Sequence, residues 1–338
     1  MLLLNDILPI ASDETWVQHI KTFHCEWFNN SEEIFVNTSG STGKPKQITL
    51  AKKAMVTSAK NTIAHFIIPN QANALLCLPA NFIAGKMMIV RSIVGKWNLF
   101  VTKPTSAINF KGLPFDFVAM TPHQVIATIK AYGVKSFSSI STLIIGGGEI
   151  PKNELQTVIN LPCKVFATYG MTETITHIAT KAIQTPKQAY NTLPGVIINI
   201  DKRNCLTIDT NYLKEPIITN DVVEIISETS FEWLGRHDNI INSGGLKLHP
   251  EQLEQSLSNH WASPFFFYGT PHNTLGQQLV LVVPNTTDVK ALIKVVKRAL
   301  PKLQQPKEIW LVNAFTTTET GKINREVSVK SICEKTLF

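Results

Sequence analysis

The sequence predicts an α/β protein, with a larger N-terminal unit of layered sheets and helices and a smaller α+β unit after it. Three observations carry this. Short apolar runs bounded by turn residues alternate with helix-like stretches through the first half of the chain, the pattern of buried strands joined by helices. From about residue 190 the texture changes to short alternating segments separated by Asn, Asp and Lys turns, as in an antiparallel sheet. At 338 residues the chain exceeds one typical core and suits two domains.

Each element follows from its local pattern. Trp16, Ile20, Phe23 and Trp27 recur at helical spacing and predict an amphipathic helix over 13–28. The apolar runs Leu75–Leu78, Phe117–Met120, Leu143–Ile145 and Val165–Thr168 predict strands, with helices over 51–66 and 151–160 between them. Leu206–Ile208 and Val222–Ile226 read as antiparallel strands. After Gly235 a smaller unit begins, which sets expected domains of 1–235 and 236–338. Pro250 opens a helix through Leu253 and Leu257, because proline suits the first helical turn. Leu279–Val283 reads as a strand. Asp288 caps a helix carrying Val289, Leu292, Val296 and Leu300 on one face. Ile309–Val312 is a further strand, and 316–325 a polar, glycine-containing loop.

Composition narrows the class. Hydrophobic residues make up 44% and charged residues 17%, the balance of a soluble globular enzyme. No apolar run is long enough for a membrane span. The start, Met1–Leu4, is interrupted by Asn5, Asp6 and Pro9 and lacks a basic leader, so it does not read as a secretion signal. The expectation is a cytoplasmic protein. A net charge of +7 suits anionic ligands. No dense Lys/Arg run with interleaved aromatics appears, which argues against nucleic acid. Cys25, Cys77, Cys163, Cys205 and Cys333 are widely spaced with no Cys-x-x-Cys pair, against both a disulfide framework and a structural zinc site. Cys77 lies in an apolar run and is expected in the core.

The densest chemistry lies at Thr38-Ser39-Gly40-Ser41-Thr42-Gly43-Lys44-Pro45, followed by Lys46. Glycines bring backbone N–H groups close to a ligand, hydroxyls donate to phosphate oxygens and lysines neutralise charge. It is not the common nucleotide P-loop, which needs a glycine where Thr38 stands and a Ser or Thr where Pro45 stands. A Ser/Gly-rich surface turn is the bland alternative. Gly146-Gly147-Gly148-Glu149 follows a strand-like run and allows a flat ligand near the backbone. Ala167–Thr174 offers Tyr169 as an aromatic face, Thr172 as a hydroxyl and Glu173 as a carboxylate for a metal ion. Asp221 could accept from two ribose hydroxyls. Gly235-Arg236-His237-Asp238, then Asn242–Lys247, open the small unit, and Thr320-Gly321-Lys322 lies near the C-terminus.

In order, spacing and spelling, these six motifs resemble those of the acyl-adenylate-forming superfamily, which includes acyl- and aryl-CoA ligases, adenylation domains of peptide synthetases and luciferases. The match runs from residue 37 to about 326. Within it, Leu78-Pro79, Ile83-Ala84-Gly85, Arg91, Ile144–Pro151 and Thr168–Thr180 are similar to the 2-succinylbenzoate–CoA ligases of menaquinone synthesis. The resemblance implies a large and a small domain with the active site at their junction. It also implies ATP, Mg2+ and coenzyme A as ligands beside a small carboxylic acid. Thr38, Ser39, Gly40, Ser41, Thr42, Gly43 and Lys44 would hold the β- and γ-phosphates, with Lys46 supporting the loop. Gly147, Gly148 and Glu149 would line the adenine slot, with Tyr169 against the base. Thr172 would contact the α-phosphate, Glu173 would hold Mg2+, and Asp221 and Arg236 would bind the ribose. Lys322 would bridge the acyl carboxylate and the α-phosphate. Rotation about a hinge at Asp238 would then bring Ser243, Gly244, Gly245 and Lys247 to the thioester site.

For the acid, Arg91 has two readings. It either snorkels from a helix to solvent or pairs with a second carboxylate of the substrate. Lys86 is a further candidate for that pairing, and Phe82 stands where many relatives carry histidine. His123 and His177 receive no role beyond that of satisfied structural histidines. Asn220 and Gln47 replace usual glycines, and the Asn220 change carries little weight. The phosphate loop lies unusually near the N-terminus, as in a shortened form. That leaves the outer wall of the acyl pocket and the oligomeric state, a homodimer included, undetermined. Alternatives are a ligase for another aryl or fatty acid, a stand-alone adenylation domain, and a nucleotide-binding homologue without catalysis.

Overall fold

A computed structural model describes residues 1–37, 46–184, 189–317 and 323–338. Its main feature is a 12-stranded sheet. Five strands form its parallel part, in the order Asn98–Val101, Asn73–Leu76, Phe115–Met120, Ile140–Ile145 and Lys164–Gly170. Lys164–Gly170 is also antiparallel to His177–Ala182. From there the sheet continues antiparallel through Tyr190–Thr192, Ser230–Arg236, Ile217–Ser227, Cys205–Thr210 and Val196–Ile200. Leu2–Leu3 lies antiparallel to Asn98–Val101 at the other edge.

The parallel strands are buried on both faces, and the period of two shows it. Ala74, Leu76, Phe117, Ala119 and Ile144 join one core. Leu75, Cys77, Val118, Met120, Leu143 and Ile145 join the other. Helices Thr15–Phe28, Lys52–Phe66 and Ile83–Gly95 cover the first face. Pro122–Tyr132 and Lys152–Ile159 cover the second. The sequence placed Thr15–Phe28 correctly: Ile20 and Phe23 are buried, and Trp16 and Trp27 pack beside them. Pro122–Tyr132 begins with a capping box in which Thr121 and Gln124 satisfy each other's backbone N–H groups.

The helix Ile83–Gly95 is buried along most of its length, so its residues show no polar face to mark it out. At Gly85 it approaches the loop that follows Asn73–Leu76, where a Cβ would lie 2.3 Å from the Pro79 carbonyl oxygen.

Apart from Glu33–Asn37 and Gln47–Ala51, which pair as a separate two-stranded sheet, strands through Arg236 belong to the large sheet, and those from Ile241 belong to a further, 6-stranded sheet. A 3-10 turn, His237–Asn239, joins them. The 6-stranded sheet centres on Gly276–Pro284, paired parallel with Glu308–Val312 and antiparallel with Phe266–His272. Helices Pro250–Leu257 and Val289–Ala299 pack on it through Leu253, Leu257, Leu292 and Val296. The Asp288 carboxylate accepts from the Ala291 N–H at 3.0 Å, the cap its position predicts. The expected loop over 316–325 is partly structured. Thr317 and Ile323 form a β-bridge, and a short helix, Arg325–Ser328, starts inside it.

Candidate active site

The parallel strands send their carboxyl ends to one side, where ligands of open α/β sheets bind. Beside Ile145 runs Ala167 of the neighbouring strand, so the glycine loop after Ile145 emerges next to Thr168 and Tyr169. Gly146 is packed so tightly that a Cβ would sit 2.6 Å from Thr168 Oγ1. Gly147 takes φ +83°, a conformation that favours glycine. Gly147, Gly148 and Glu149 are exposed at this rim.

Tyr169 leads into a hydrogen-bonded network. Its hydroxyl donates to Asp221 Oδ2 at 2.7 Å, and Trp233 Nε1 donates to Oδ1 at 3.2 Å. Burial, then the Asp221 carboxylate, push the phenol pKa up, so it remains a donor. Asp221 is itself buried and lies opposite Arg236 across the sheet. Arg236 Nη1 stands 3.8 Å from Asp221 Oδ1, and its Nη2 donates to Asp238 Oδ2 at 3.1 Å. Each Asp221 oxygen retains lone-pair capacity for another donor. Asn220 contributes more than its sequence reading allowed. Its amide donates to Asp238 Oδ2 at 3.2 Å and accepts from Arg203 Nη1 at 2.9 Å.

The turn after Tyr169 is held from within. Thr174 Oγ1 accepts from the Met171 N–H at 2.9 Å and lies 2.7 Å from the Thr176 carbonyl oxygen. Ile175 is buried at φ +70°. A β-branched residue in the left-handed region is strained, and such strain persists where the surroundings enforce it, commonly at functional turns. Gly170 permits the close return: a Cβ there would lie 2.4 Å from the Thr176 carbonyl oxygen. Glu173 is exposed on the turn and makes no ion pair among the described residues. A single free carboxylate fits Mg2+, which commonly takes one or two protein carboxylates and completes its shell with phosphate and water. Thr172 is half-buried beside it.

The far end of the same turn meets Arg91. The whole residue is only 2% exposed, so the snorkelling alternative fails. Nη2 donates to Thr176 Oγ1 at 2.6 Å, and Nη1 reaches only the Met88 sulfur, at 3.7 Å. Nε is buried without a partner. No carboxylate lies within ion-pair distance among the described residues. Burial pushes the pKa down from its usual value to about 9, which still leaves it charged at neutral pH. A buried cation without an acid is costly, and such charges are normally paired.

Lys86 is disposed differently. It sits five residues earlier on the helix, about 140° around the axis from Arg91. Its ammonium pairs with Glu26 at 3.3 Å and lies 4.4 Å from the Phe23 ring centroid. Burial lowers its pKa, opposed by Glu26. Those contacts commit it to the helix Thr15–Phe28 rather than to the Arg91 side. Phe82 is the half-buried N-cap of the Arg91 helix.

Asp238 lies in the 3-10 turn between the sheets, tied to Asn220 and Arg236. Ser243 and Leu246 pair across a two-residue turn whose Gly244 and Gly245 both have positive φ, as tight hairpins require. Gly244, Gly245 and Lys247 are exposed. Nearby, Arg325 Nη2 binds Glu254 at 2.9 Å and Glu251 at 3.4 Å. Thr38, Ser39, Gly40, Ser41, Thr42, Gly43, Lys44 and Lys322 lie outside the described residues. Of those flanking them, Asn37 pairs with Gln47 and Thr317 with Ile323. Sequence reasoning missed Trp233 and Thr176 and gave His177 no role. The donor and acceptor chemistry of these side chains was visible, but their neighbours were not.

The AMP-binding enzyme family matches residues 33–202. The chain is 27% identical over 333 residues to a probable 2-succinylbenzoate–CoA ligase of Mycobacterium tuberculosis, covering 90% of this chain and 86% of that one. A 2-succinylbenzoate–CoA ligase of Staphylococcus epidermidis is 22% identical, with coverages of 87% and 68%. Among solved structures, an acyl-CoA synthetase (AMP-forming)/AMP-acid ligase II-like protein from Dyadobacter fermentans is 32% identical. Its TM-score is 0.63, over 94% of this chain and 95% of that chain. The fold is also that of the o-succinylbenzoate CoA synthetase of Bacillus subtilis, with TM-score 0.77 at 20% identity, over 90% of this chain and 70% of that one.

Proposed function

The chain belongs to the AMP-binding enzyme family, and from that premise we propose that it is an ATP-dependent, AMP-forming acid–CoA ligase acting on 2-succinylbenzoate. The observation that carries the choice of acid is Arg91, a buried guanidinium with no carboxylate partner among the described residues and an unsatisfied Nε–H. A substrate whose second carboxylate reached it would supply the missing counter-charge through a charge-assisted hydrogen bond. The names of the curated relatives support the same acid.

A carboxylate is a poor acylating agent because its leaving group would be oxide. In the first half-reaction the aryl carboxylate attacks the α-phosphorus of ATP and pyrophosphate departs, giving an acyl-adenylate. In the second, the thiol of coenzyme A attacks the acyl carbon and AMP departs with the bonding electron pair. Asp221 and Arg236 bind the ribose, Tyr169 packs against the base, and Gly147, Gly148 and Glu149 border the adenine slot. Thr172 orients the α-phosphate. Thr38–Lys44 hold the β- and γ-phosphates, and Lys322 bridges the two reacting anions. Mg2+, when held by Glu173, supplies charge neutralisation on the phosphates. Residues 1–235 and 236–338 act as two domains hinged near Asp238, so that Ser243–Lys247 replace Lys322 for the thiol step. ATP and coenzyme A are cytoplasmic metabolites, so we assign the protein to the cytoplasm. No described helix is long and apolar enough to cross a membrane.

The test is turnover with ATP, Mg2+ and a panel of acids, with and without coenzyme A, following pyrophosphate and thioester. Thioester from 2-succinylbenzoate is expected. Turnover of benzoate or a fatty acid but not of 2-succinylbenzoate would refute the substrate, and silence with every acid would refute the enzyme. Lys322→Ala is expected to abolish pyrophosphate release while sparing thioester formation from supplied acyl-adenylate. Equal loss of both would refute the two-state scheme.

A further inference from the structure

Behind Arg91 lies a buried histidine that the reaction scheme does not use. His177 opens the strand His177–Ala182 and is 5% exposed. Its Nε2 lies 3.4 Å from Thr62 Oγ1, and its Nδ1 lies 3.4 Å from Thr176 Oγ1. Thr62 is fully buried, and its hydroxyl stands 3.1 Å from the Ser58 carbonyl oxygen.

The direction of this chain follows from its end. A carbonyl oxygen only accepts, and a hydroxyl has one proton to donate. Thr62 donates to Ser58, so toward His177 it can only accept. The imidazole therefore carries its proton on Nε2 and leaves a lone pair on Nδ1. That lone pair takes the Thr176 hydroxyl proton, which turns the Thr176 oxygen lone pairs to Arg91 Nη2 at 2.6 Å. Donation runs one way, from Arg91 through Thr176, His177 and Thr62 to Ser58.

We infer that His177 is a positioning residue for the acid's second carboxylate: through Thr176 it fixes the Arg91 guanidinium with its Nε–H free, in a site carrying a single positive charge. The inference rests on the substrate reading above. A proton on Nδ1 would compete with Arg91 for the Thr176 oxygen and add a second buried cation. Burial, then Arg91, then His65 lower the His177 pKa well below its usual value. Among the described residues, those two are the charged or titratable groups acting on it, from the helices Ile83–Gly95 and Lys52–Phe66. One cation matches one carboxylate. A monoacid leaves Arg91 unpaired, and a dianionic phosphate overcharges the site.

Two measurements on the 338-residue chain test this separately. Imidazole 15N NMR of ligand-free enzyme, assigned with His177→Phe, is expected to show the Nε2–H neutral form with no titration between about pH 5.5 and 8.5. An Nδ1–H form or protonation in that window overturns the inference, whatever the substrate proves to be. In kinetics, His177→Phe keeps the ring and removes both nitrogens. KM for 2-succinylbenzoate should rise about tenfold, with kcat and the KM for ATP within about twofold of wild type. His177→Asn should recover most of the loss, since its Oδ1 can stand in for Nδ1. An unchanged KM, a parallel rise in the KM for ATP, or an Asn variant no better than Phe overturns the positioning role. Wild-type enzyme that ignores 2-succinylbenzoate but turns over benzoate refutes the substrate reading, and this inference with it.

Discussion

The two ends of the turn from Met171 to Thr176 face differently built surroundings. At the Tyr169 end, charge is compensated within the protein. Asp221 accepts from Tyr169 and Trp233 and lies near Arg236, and Arg236 pairs with Asp238. At the Thr176 end, Arg91 is buried with no carboxylate against it among the described residues. A ligand entering the first region exchanges existing hydrogen bonds for new ones, which gives orientation at modest net gain. A ligand entering the second supplies a missing counter-charge, so the gain depends on its carrying one. In the proposed reaction this divides the labour: ATP is positioned by a satisfied network, and the acid is selected by an unsatisfied one.

The paired region can be broken at its centre. Asp221→Ala strands the Tyr169 hydroxyl and the Trp233 N–H together. It should destabilise the fold by about 2–4 kcal/mol in denaturant unfolding and raise the KM for ATP. A loss of stability with an unaltered KM for ATP would detach the network from the nucleotide.

The unpaired region can be disturbed through its support. In Gly85→Ala the new Cβ would meet backbone atoms of Pro79 at 2.3 and 2.6 Å, so the Arg91 helix must shift. A loss of about 1–3 kcal/mol is expected, with a rise in KM for the acid but not for ATP. Equal rises would show that the two regions move together.

A smaller effect, outside both regions, depends on pH. Burial raises the Glu254 pKa from 4.5 to about 7, against the pull of Arg325. Between those values the native state holds more protons than the unfolded chain, so this group's stabilisation is present below about pH 4.5 and lost as pH rises toward 7. Glu254→Gln keeps an acceptor for the Phe267 N–H and should flatten the stability profile by about 1–2 kcal/mol over that range. An identical profile would remove Glu254 as its source.

What could be read in the sequence was whatever local period or cap chemistry controls. The helix Thr15–Phe28, the capped helix after Asp288 and four of the five parallel strands declare themselves by their apolar pattern, whereas Asn98–Val101 was not read as a strand. The Arg91 helix does not, because it is buried along most of its length and nothing in its pattern says which residue faces what. Arg91 itself was visible as a lone charge among apolar residues. Its surroundings were not: Thr176 lies 85 residues away, and Thr62 lies 115 residues from His177. The same limit hid the pairing of Lys86 with Glu26 and the link Asn220 makes between Arg203 and Asp238. Motif spelling identifies chemistry, whereas partner choice is a property of the packed sheet.

The central claim is that Arg91 is kept unpaired for a carboxylate of the substrate, and Arg91→Met tests it in one pair of measurements. Methionine matches the length and fits an apolar site, so ligand-free stability should equal or exceed wild type, because a buried lone charge is gone. KM for 2-succinylbenzoate should rise about 10- to 100-fold, the scale of a charged hydrogen bond, while the KM for ATP holds. Stability lost with an unchanged KM for the acid would contradict the claim and make Arg91 a structural residue.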